Sequence, residues 1–473
     1  MDLRTKEAAE AALAAHNQGH LLNFWPQLNE KQKKTLMGQI DDLDLAATDR
    51  WVEDVVKNPE PLKIPTEFDP AGYYPAMPAP DMEQKYALAL EKGRKLINKG
   101  KVAAFVVAGG QGTRLGFDGP KGDFPVTPVK GKTLFRLFAE SIIAISRKYK
   151  TVIPWYIMTS PLNHLDTIEI FKKSGFFGLN PADFFIFQQG TLPNFAFDGK
   201  ILMADKAEIA QSPDGHGGSL RALYRSGAVE DMKKRGIEYI SYFQIDNPVV
   251  KVIDPLFIGL HALDNAQMSS KAVKKNAPTE KVGNFCLVDG RVTVIEYSDL
   301  PDEQAQRRNP GGSLVFELGS IAIHIINTDF LESLNKEGFS LPLHKAVKKI
   351  PHINDKGILV EPKEPNGIKL ETFVFDALPL AEKSIIFETI REEEFAPVKN
   401  ATGVDSAESS RNLQIFRAAD WLESAGVEVP RKPDGSPDCI IEIAPSFAVE
   451  KEDVVKNKGG LSRINPGDKV YID

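Results

Sequence analysis

Ala108-Gly109-Gly110-Gln111-Gly112-Thr113-Arg114-Leu115-Gly116 stands directly after the apolar run Val102 to Ala108, and Pro120-Lys121-Gly122 follows it. A short continuous apolar run of this kind suits a strand buried on both faces. Three glycines within four residues let the chain turn sharply and bring bare N–H groups against a phosphate chain, while Arg114 and Lys121 add mobile positive charge. The stretch reads as a nucleotide loop. It is not a Walker A loop, because Gly131-Lys132-Thr133 lacks the earlier glycine, and it is not a dinucleotide fingerprint, because Leu115 stands where the third glycine belongs. Glycines alone would indicate only a tight turn; Arg114 and Lys121 are what make the loop specific.

Downstream, apolar periodicity predicts a helix from Leu134 to Arg147, a strand from Val152 to Met158, a helix from Leu162 to Lys173 and a buried strand from Tyr239 to Ile245, ending at Asp246. Such alternation builds a mainly parallel sheet with helices on its faces, and ligands collect at the carboxyl ends of its strands, where Gly109 and Asp246 fall. Gly283 to Val288 and Arg291 to Tyr297 flank Asp289-Gly290 and read as a hairpin. Asp254 fits the cap of a helix beginning near Pro255. Ser320 to Asn327 reads as a strand, and Asp329 to Lys336 and Ile368 to Ala381 as helices. Beyond about Thr402, a helix from Arg411 to Ala425 and a β-like run from Cys439 to Ile443 suggest a small C-terminal domain.

Upstream, Ala8 to Ala47 is an amphipathic helical preface, Asn58 to Pro80 a proline-rich connector and Met82 to Lys99 a helix leading into the core. The expected division is therefore 1–100, a helical extension with its connector; 101–400, the catalytic domain; and 401–473, the small C-terminal domain.

A net charge of -7 spread along the chain gives no basic face for coating nucleic acid, so any polyanionic substrate must meet a few local cations. No window approaches a membrane span, and Met1 to His16 lacks the apolar core of a signal peptide. The two cysteines, Cys286 and Cys439, sit in or beside apolar strand-like runs and fit small buried thiols in a reducing cytoplasm. A monomer or weak homo-oligomer is expected.

Gly109 to Gly116 with Pro120-Lys121-Gly122 resembles the signature of the sugar-nucleotide pyrophosphorylases, and more narrowly the UDP-N-acetylglucosamine pyrophosphorylase branch of the UTP-dependent uridylyltransferases. The likeness covers most of the chain. It continues through His20-Leu21-Leu22-Asn23-Phe24-Trp25, Ala204-Asp205-Lys206, Pro213-Asp214-Gly215, Asp246-Asn247, Glu296-Tyr297-Ser298, Pro365-Asn366-Gly367-Ile368-Lys369 and Arg391-Glu392-Glu393-Glu394-Phe395. It implies an α/β nucleotide-diphospho-sugar transferase fold, a Rossmann-like mixed sheet of GT-A type, and a reaction of UTP with a sugar 1-phosphate giving a UDP-sugar and pyrophosphate. It also implies roles. Ala108, Gly109 and Gly110 would contact the nucleotide; Arg114, Lys121 and Lys369 its phosphates; Lys399 the sugar-phosphate side; Asp246 the phosphates through Mg2+; and Gln189 the uracil. Gly215, Gly283, Glu296 and Tyr297 match nucleotide or sugar contacts, and Phe373 and Phe375 could wall the pocket, although an aromatic pair on a helix is ordinarily core. A phosphate nucleophile is already ionised at neutral pH, so no general-base histidine is required.

Two positions depart from the pattern. His216 stands where the N-acetylglucosamine enzymes carry asparagine and is similar to glucose- and galactose-type relatives; Ser320 replaces another sugar-contacting asparagine. N-acetylglucosamine 1-phosphate is the leading expectation, and glucose or galactose 1-phosphate the runner-up. A non-catalytic UDP-sugar-binding relative and, more distantly, a nicotinamide oxidoreductase are the readings from other classes.

Overall fold

A computed structural model describes residues 5–58, 65, 67–336, 338–339 and 341–473. Pro59 and Pro61 of the connector and the first four residues of the N-terminal stretch lie outside the described residues. The chain forms two compact bodies: the first holds described residues within 1–64, 189–219 and 340–376, the second those within 65–188, 220–339 and 377–473.

The second body is built on a ten-stranded mixed sheet. Tyr239–Gln244, Val102–Val107, Trp155–Thr159 and Phe184–Gln188 run parallel, in that order. Helices Leu134–Tyr149 and His164–Lys173 supply the crossovers that parallel neighbours require. Val102 to Val106 are fully buried, as a strand covered on both faces must be. On the other side of Tyr239–Gln244 the sheet turns antiparallel, through Leu318–Asn327 to Met268–Lys274 and Gly283–Val288, and Met268–Lys274 then pairs in parallel with Ser384–Glu388, so the expected mainly parallel sheet is mixed. Asp289 and Gly290, with φ of 49° and 73°, turn Gly283–Val288 into Arg291–Ile295. Positive φ at both central residues matches the twist of a two-residue hairpin. Asp254 caps helix Pro255–Leu263, its Oδ1 accepting the N–H groups of Leu256 (2.9 Å) and Phe257 (3.3 Å).

The second body also contains the C-terminal segment. Its helix Ala407–Ser424 and parallel strands Ile440–Ile443 and Lys469–Ile472 enclose a core of Trp421, Leu422, Ile441 and Val454. The Glu442 carboxylate accepts N–H groups from Val129 (2.8 Å) and Lys130 (2.7 Å), in the loop that follows Lys121.

In the first body, helices Lys6–Ala15, Glu30–Asp41 and Leu45–Trp51 turn Leu13, Leu36, Ile40 and Leu45 against Phe195, Ile201, Ile209, Ile368 and Leu370. The contacts thus divide the chain differently from the expected 1–100, 101–400 and 401–473. Residues up to 58 share a core with segments far along the chain, whereas helix Glu83–Asn98 belongs to the second body. Amphipathic periodicity shows that a face will be buried but not what covers it.

The helix expected from Ile368 to Ala381 is corrected. Gly367–Glu371 is a strand paired with His344–Lys348 and with Phe195–Ala196, and only Val374–Leu380 is helical, as a 3-10 turn. Ladder partners distant in sequence override local helical spacing here. Phe373 accordingly lies between strand and turn.

Candidate active site

In the second body, the Ala108 N–H extends the parallel ladder to the Met158 carbonyl at 2.7 Å. The loop beyond is folded on itself: the Gly112 N–H donates to Gly119 (2.9 Å) and the Lys121 N–H to Gly110 (3.0 Å). A Cβ at Gly112 would stand 2.7 Å from the Phe117 ring, so only glycine fits. The fully buried Asn163 holds the loop from beneath, its amide donating to the carbonyls of Ala108 (2.9 Å) and Gly110 (3.2 Å). Among the described residues, no acceptor takes the N–H groups of Gly109 and Gly110. Arg114 is exposed and Lys121 partly buried, and neither is held by an ion pair among the described residues. Free N–H groups beside uncommitted cations form an anion cradle.

The parallel register sets Gln244 opposite Val107, so Asp246, in the turn just beyond that strand, lies at the same sheet edge as the loop. The Asp246 carbonyl accepts the Val398 N–H at 2.8 Å, which brings Lys399 to that edge as well. The Lys399 ammonium lies 5.8 Å from the Phe395 ring centroid and has no salt bridge among the described residues. Asp405 joins them. Its carbonyl accepts the N–H groups of Lys399 (2.6 Å) and Asn400 (3.0 Å) from a left-handed backbone, φ 56°. Burial pushes the Asp405 carboxyl up, Lys399 opposes the shift and Asp246 reinforces it. Among the described residues no group of three or more His, Cys, Asp or Glu is placed to hold a metal. The single strand-end carboxylate of Asp246 fits Mg2+, which takes one or two carboxylates and completes its shell with phosphate oxygens and water.

Gly283, Glu296 and Ser320 converge elsewhere on the same sheet. Gly283 pairs in register with Ser320, and a Cβ at Gly283 would stand 3.2 Å from Glu296 Oε1 and 3.8 Å from Ser320 Cβ. Tyr297, beside them in sequence, is exposed.

The first body carries the rest. Gln189 Nε2 donates to Asp214 Oδ1 (3.0 Å) and to the Gly215 carbonyl (2.7 Å). Two acceptors fix which end of the amide is nitrogen and leave Oε1 as the presented atom, so one end of the amide, not both, remains for a ligand. Gly215 has φ 82°, and a Cβ there would meet the Thr372 carbonyl at 2.3 Å. The next ring, His216, accepts the Val374 N–H on Nδ1 (3.1 Å), which puts the proton of the neutral imidazole on Nε2. His216 stacks on Phe373 (5.2 Å, 18°), Phe373 stacks on His344 (4.1 Å, 30°), and Asp376 anchors His344 Nε2 at 2.8 Å. Phe375 meets His216 edge-on at 5.8 Å. Lys369 shares a strand with the buried Ile368 and Leu370 but sits on the opposite, half-buried side, unpaired among the described residues.

Burial, with the charge of His344 adding to it, pushes the His216 imidazole down to about 4. The neutral ring therefore stabilises the fold above the ordinary histidine value of about 6.5, and the contribution is lost as pH falls from there toward 4. Unfolding free energies from urea titrations between pH 7 and 4.5 should fall more steeply for the native chain than for His216→Asn, by about 1 kcal/mol per pH unit. Parallel curves would show that His216 does not titrate with unfolding.

Residues 76–420 match the family described as UTP–glucose-1-phosphate uridylyltransferase. The chain belongs to this family. Within the family it is 35% identical to the human UDP-N-acetylhexosamine pyrophosphorylase-like protein 1, over 95% of this chain and 94% of the relative. It is 33% identical to the UDP-N-acetylglucosamine pyrophosphorylase of Saccharomyces cerevisiae, over 93% and 95%. The crystal structure of the uridine diphosphate N-acetylglucosamine pyrophosphorylase from Trypanosoma brucei superposes with a TM-score of 0.83 at 25% identity, covering 99% of this chain and 98% of that one. Family membership confirms the recognition made from the glycine loop and the mixed-sheet fold it implied.

Of the residues singled out from sequence, the structure brings Ala108, Gly109, Gly110, Asp246 and Lys399 to one sheet edge, with Lys121 hydrogen-bonded into the loop. It groups Gly283, Glu296 and Ser320, and separately Gln189, Gly215, His216, Phe373 and Phe375. Sequence reasoning passed over Asn163, Asp405 and the His344–Asp376 support. A polar residue fully buried under a glycine loop carries no local mark, and Asp405 looks like any loop aspartate.

Proposed function

We propose that the chain transfers the uridylyl group of UTP to N-acetylglucosamine 1-phosphate, giving UDP-N-acetylglucosamine and pyrophosphate. The observation that carries this reading is the near full-length similarity to the yeast UDP-N-acetylglucosamine pyrophosphorylase. A sugar-phosphate oxygen forms a bond to the α-phosphorus of UTP as the bond from that phosphorus to the α,β-bridging oxygen breaks, and pyrophosphate leaves with the electron pair. The nucleophile is already ionised, so the barrier lies in bringing two anions together. In this reading Gly109 and Gly110 offer N–H groups to the nucleotide, Arg114 and Lys121 neutralise its phosphates, and Lys399 receives the sugar phosphate. Asp246 would hold Mg2+, whose contribution when bound is to draw charge off the phosphate oxygens. Glu296 and Gly283 suit the sugar or nucleotide, and the stacked His216, Phe373 and Phe375 suit a pocket wall.

Gln189 Oε1 would accept the uracil N3–H, and cytosine, which presents a lone pair at N3, would set acceptor against acceptor. CTP should therefore be used at least roughly 10²-fold less well than UTP in kcat/KM. Equal use of the two nucleotides would remove Gln189 from base recognition.

One observation favours a second sugar. His216 presents an Nε2–H donor where an amide is expected, and the hydroxyl of Ser320 reaches less far than a second amide. Pyrophosphate release assayed across a panel of sugar 1-phosphates decides the matter: a large preference for glucose or galactose 1-phosphate replaces the first assignment while leaving uridylyl transfer intact.

No helix of the described residues is long and apolar enough to cross a membrane. Cys286 and Cys439 are buried and unbridged, and burial pushes the Cys286 thiol up to about 12, which suits the reducing cytoplasm we assign.

A further inference from the structure

We propose that Asn247 is a positioning residue whose side chain sets Lys399 beside Asp246. The inference rests on the reading of Lys399 as the cation that receives the sugar phosphate.

Asn247 is buried, 4% exposed, at the end of the strand that delivers Asp246. Both ends of its amide are used on one short segment: Nδ2 donates to the Glu394 carbonyl at 2.7 Å, and Oδ1 accepts the Ala396 N–H at 3.1 Å. Two residues on, the Val398 N–H donates to the Asp246 carbonyl at 2.8 Å. Asp246 and Asn247 thus grip residues 394–398 at three points, and Lys399 is the next residue. From elsewhere in the second body, Ser410 Oγ donates to the Ala396 carbonyl (2.7 Å) and Arg417 to the carbonyls of Val249 (2.9 Å) and Glu393 (3.3 Å). Asp405 then takes the Lys399 N–H itself. The backbone of Lys399 has little freedom to drift from Asp246.

Only an amide places a donor and an acceptor on one planar group of this length. An aspartate would turn a lone pair toward the Glu394 carbonyl, and alanine would leave that carbonyl and the Ala396 N–H buried without partners. Either change loosens the segment while leaving the Lys399 side chain chemically intact. Because a displacement of about 1 Å can cost on the order of 10²-fold in rate, the consequence falls on the substrate that Lys399 meets.

The test is a double-mutant cycle in the full-length chain, with Asn247→Ala, Lys399→Ala and the pair. For each we would measure kcat, KM for the sugar 1-phosphate, KM for UTP and the thermal midpoint. Asn247→Ala is expected to lower kcat/KM for the sugar 1-phosphate roughly tenfold or more, with KM for UTP within about twofold, and to cost less than about twofold once Lys399 is already alanine. Loss by the same factor in both backgrounds, or equal rises in both KM values, overturns the proposal. If Asn247→Ala does not fold, Asn247→Ser, which keeps a polar atom, enters the same cycle under the same criteria. Should Lys399→Ala alone leave KM for the sugar 1-phosphate unchanged, the assignment of Lys399 fails and the proposal falls with it; a Lys399 effect with additive losses removes Asn247 alone.

Discussion

Lys121→Ala is expected to lower kcat/KM for UTP by about 10²–10³-fold, roughly 3–4 kcal/mol of transition-state stabilisation. Nothing else in the structure occupies its charge, because no carboxylate pairs with Lys121 among the described residues, and its backbone is pinned into the glycine loop through the Gly110 carbonyl. The variant should fold normally. Gly122, the neighbour that packs tightly, is untouched: a Cβ there would meet the Phe135 ring at 2.2 Å, so the turn is set by Gly122 and not by the lysine side chain. Lys121→Arg should recover part of the rate by restoring charge without the compact ammonium. Initial rates of pyrophosphate release at saturating sugar 1-phosphate measure the effect. A loss below about threefold would take Lys121 out of the phosphate site, since a preorganised donor aimed at developing charge is worth far more.

The largest expected effect on stability belongs to two glycines that carry no catalytic assignment. Helices Glu83–Asn98 and Pro255–Leu263 cross at backbone contact: a Cβ at Gly93 would stand 1.7 Å from the Pro255 carbonyl oxygen, and one at Gly259 1.7 Å from that of Ala89. Neither obstacle can rotate away, as a side chain could, because both belong to helix backbone. Gly259→Val should therefore destabilise the second body by about 3 kcal/mol or more through forced separation of the helices. Gly38→Ala, where no atom lies within 4 Å of the added carbon, is the control and should be neutral or slightly stabilising. Denaturant midpoints for the two variants read the difference; similar midpoints would mean that the crossing can relax.

These predictions differ in how far the sequence foretold them. Lys121 was legible because a glycine-rich turn after a doubly buried strand is a local pattern with one good chemical explanation. The hairpin at Asp289-Gly290 and the cap at Asp254 were legible for the same reason, each depending on a few adjacent residues. Gly93 and Gly259 were not. Each sits inside a helical pattern as an ordinary propensity defect, and only the crossing of two helices more than 150 residues apart gives them a purpose. Lys369 was found through its motif but was assigned to a helix. Its strand partner, His344–Lys348, lies about twenty residues upstream and is not marked by periodicity.

The sequence by itself determined the kinds of groups and their order along the chain: a glycine cradle after a buried strand, a carboxylate after a later buried strand and a few cations for two anionic substrates. Tertiary structure decided their pairing. It put the N-terminal helices into one core with residues from the middle and later parts of the chain, turned the Gln189 amide so that its oxygen is presented, fixed the His216 proton on Nε2 and tied the segment bearing Lys399 to Asp246 and Asn247. The physical reason is that hydrogen bonds and shared burial depend on direction and on a partner in space, whereas periodicity and composition report only what each segment requires locally.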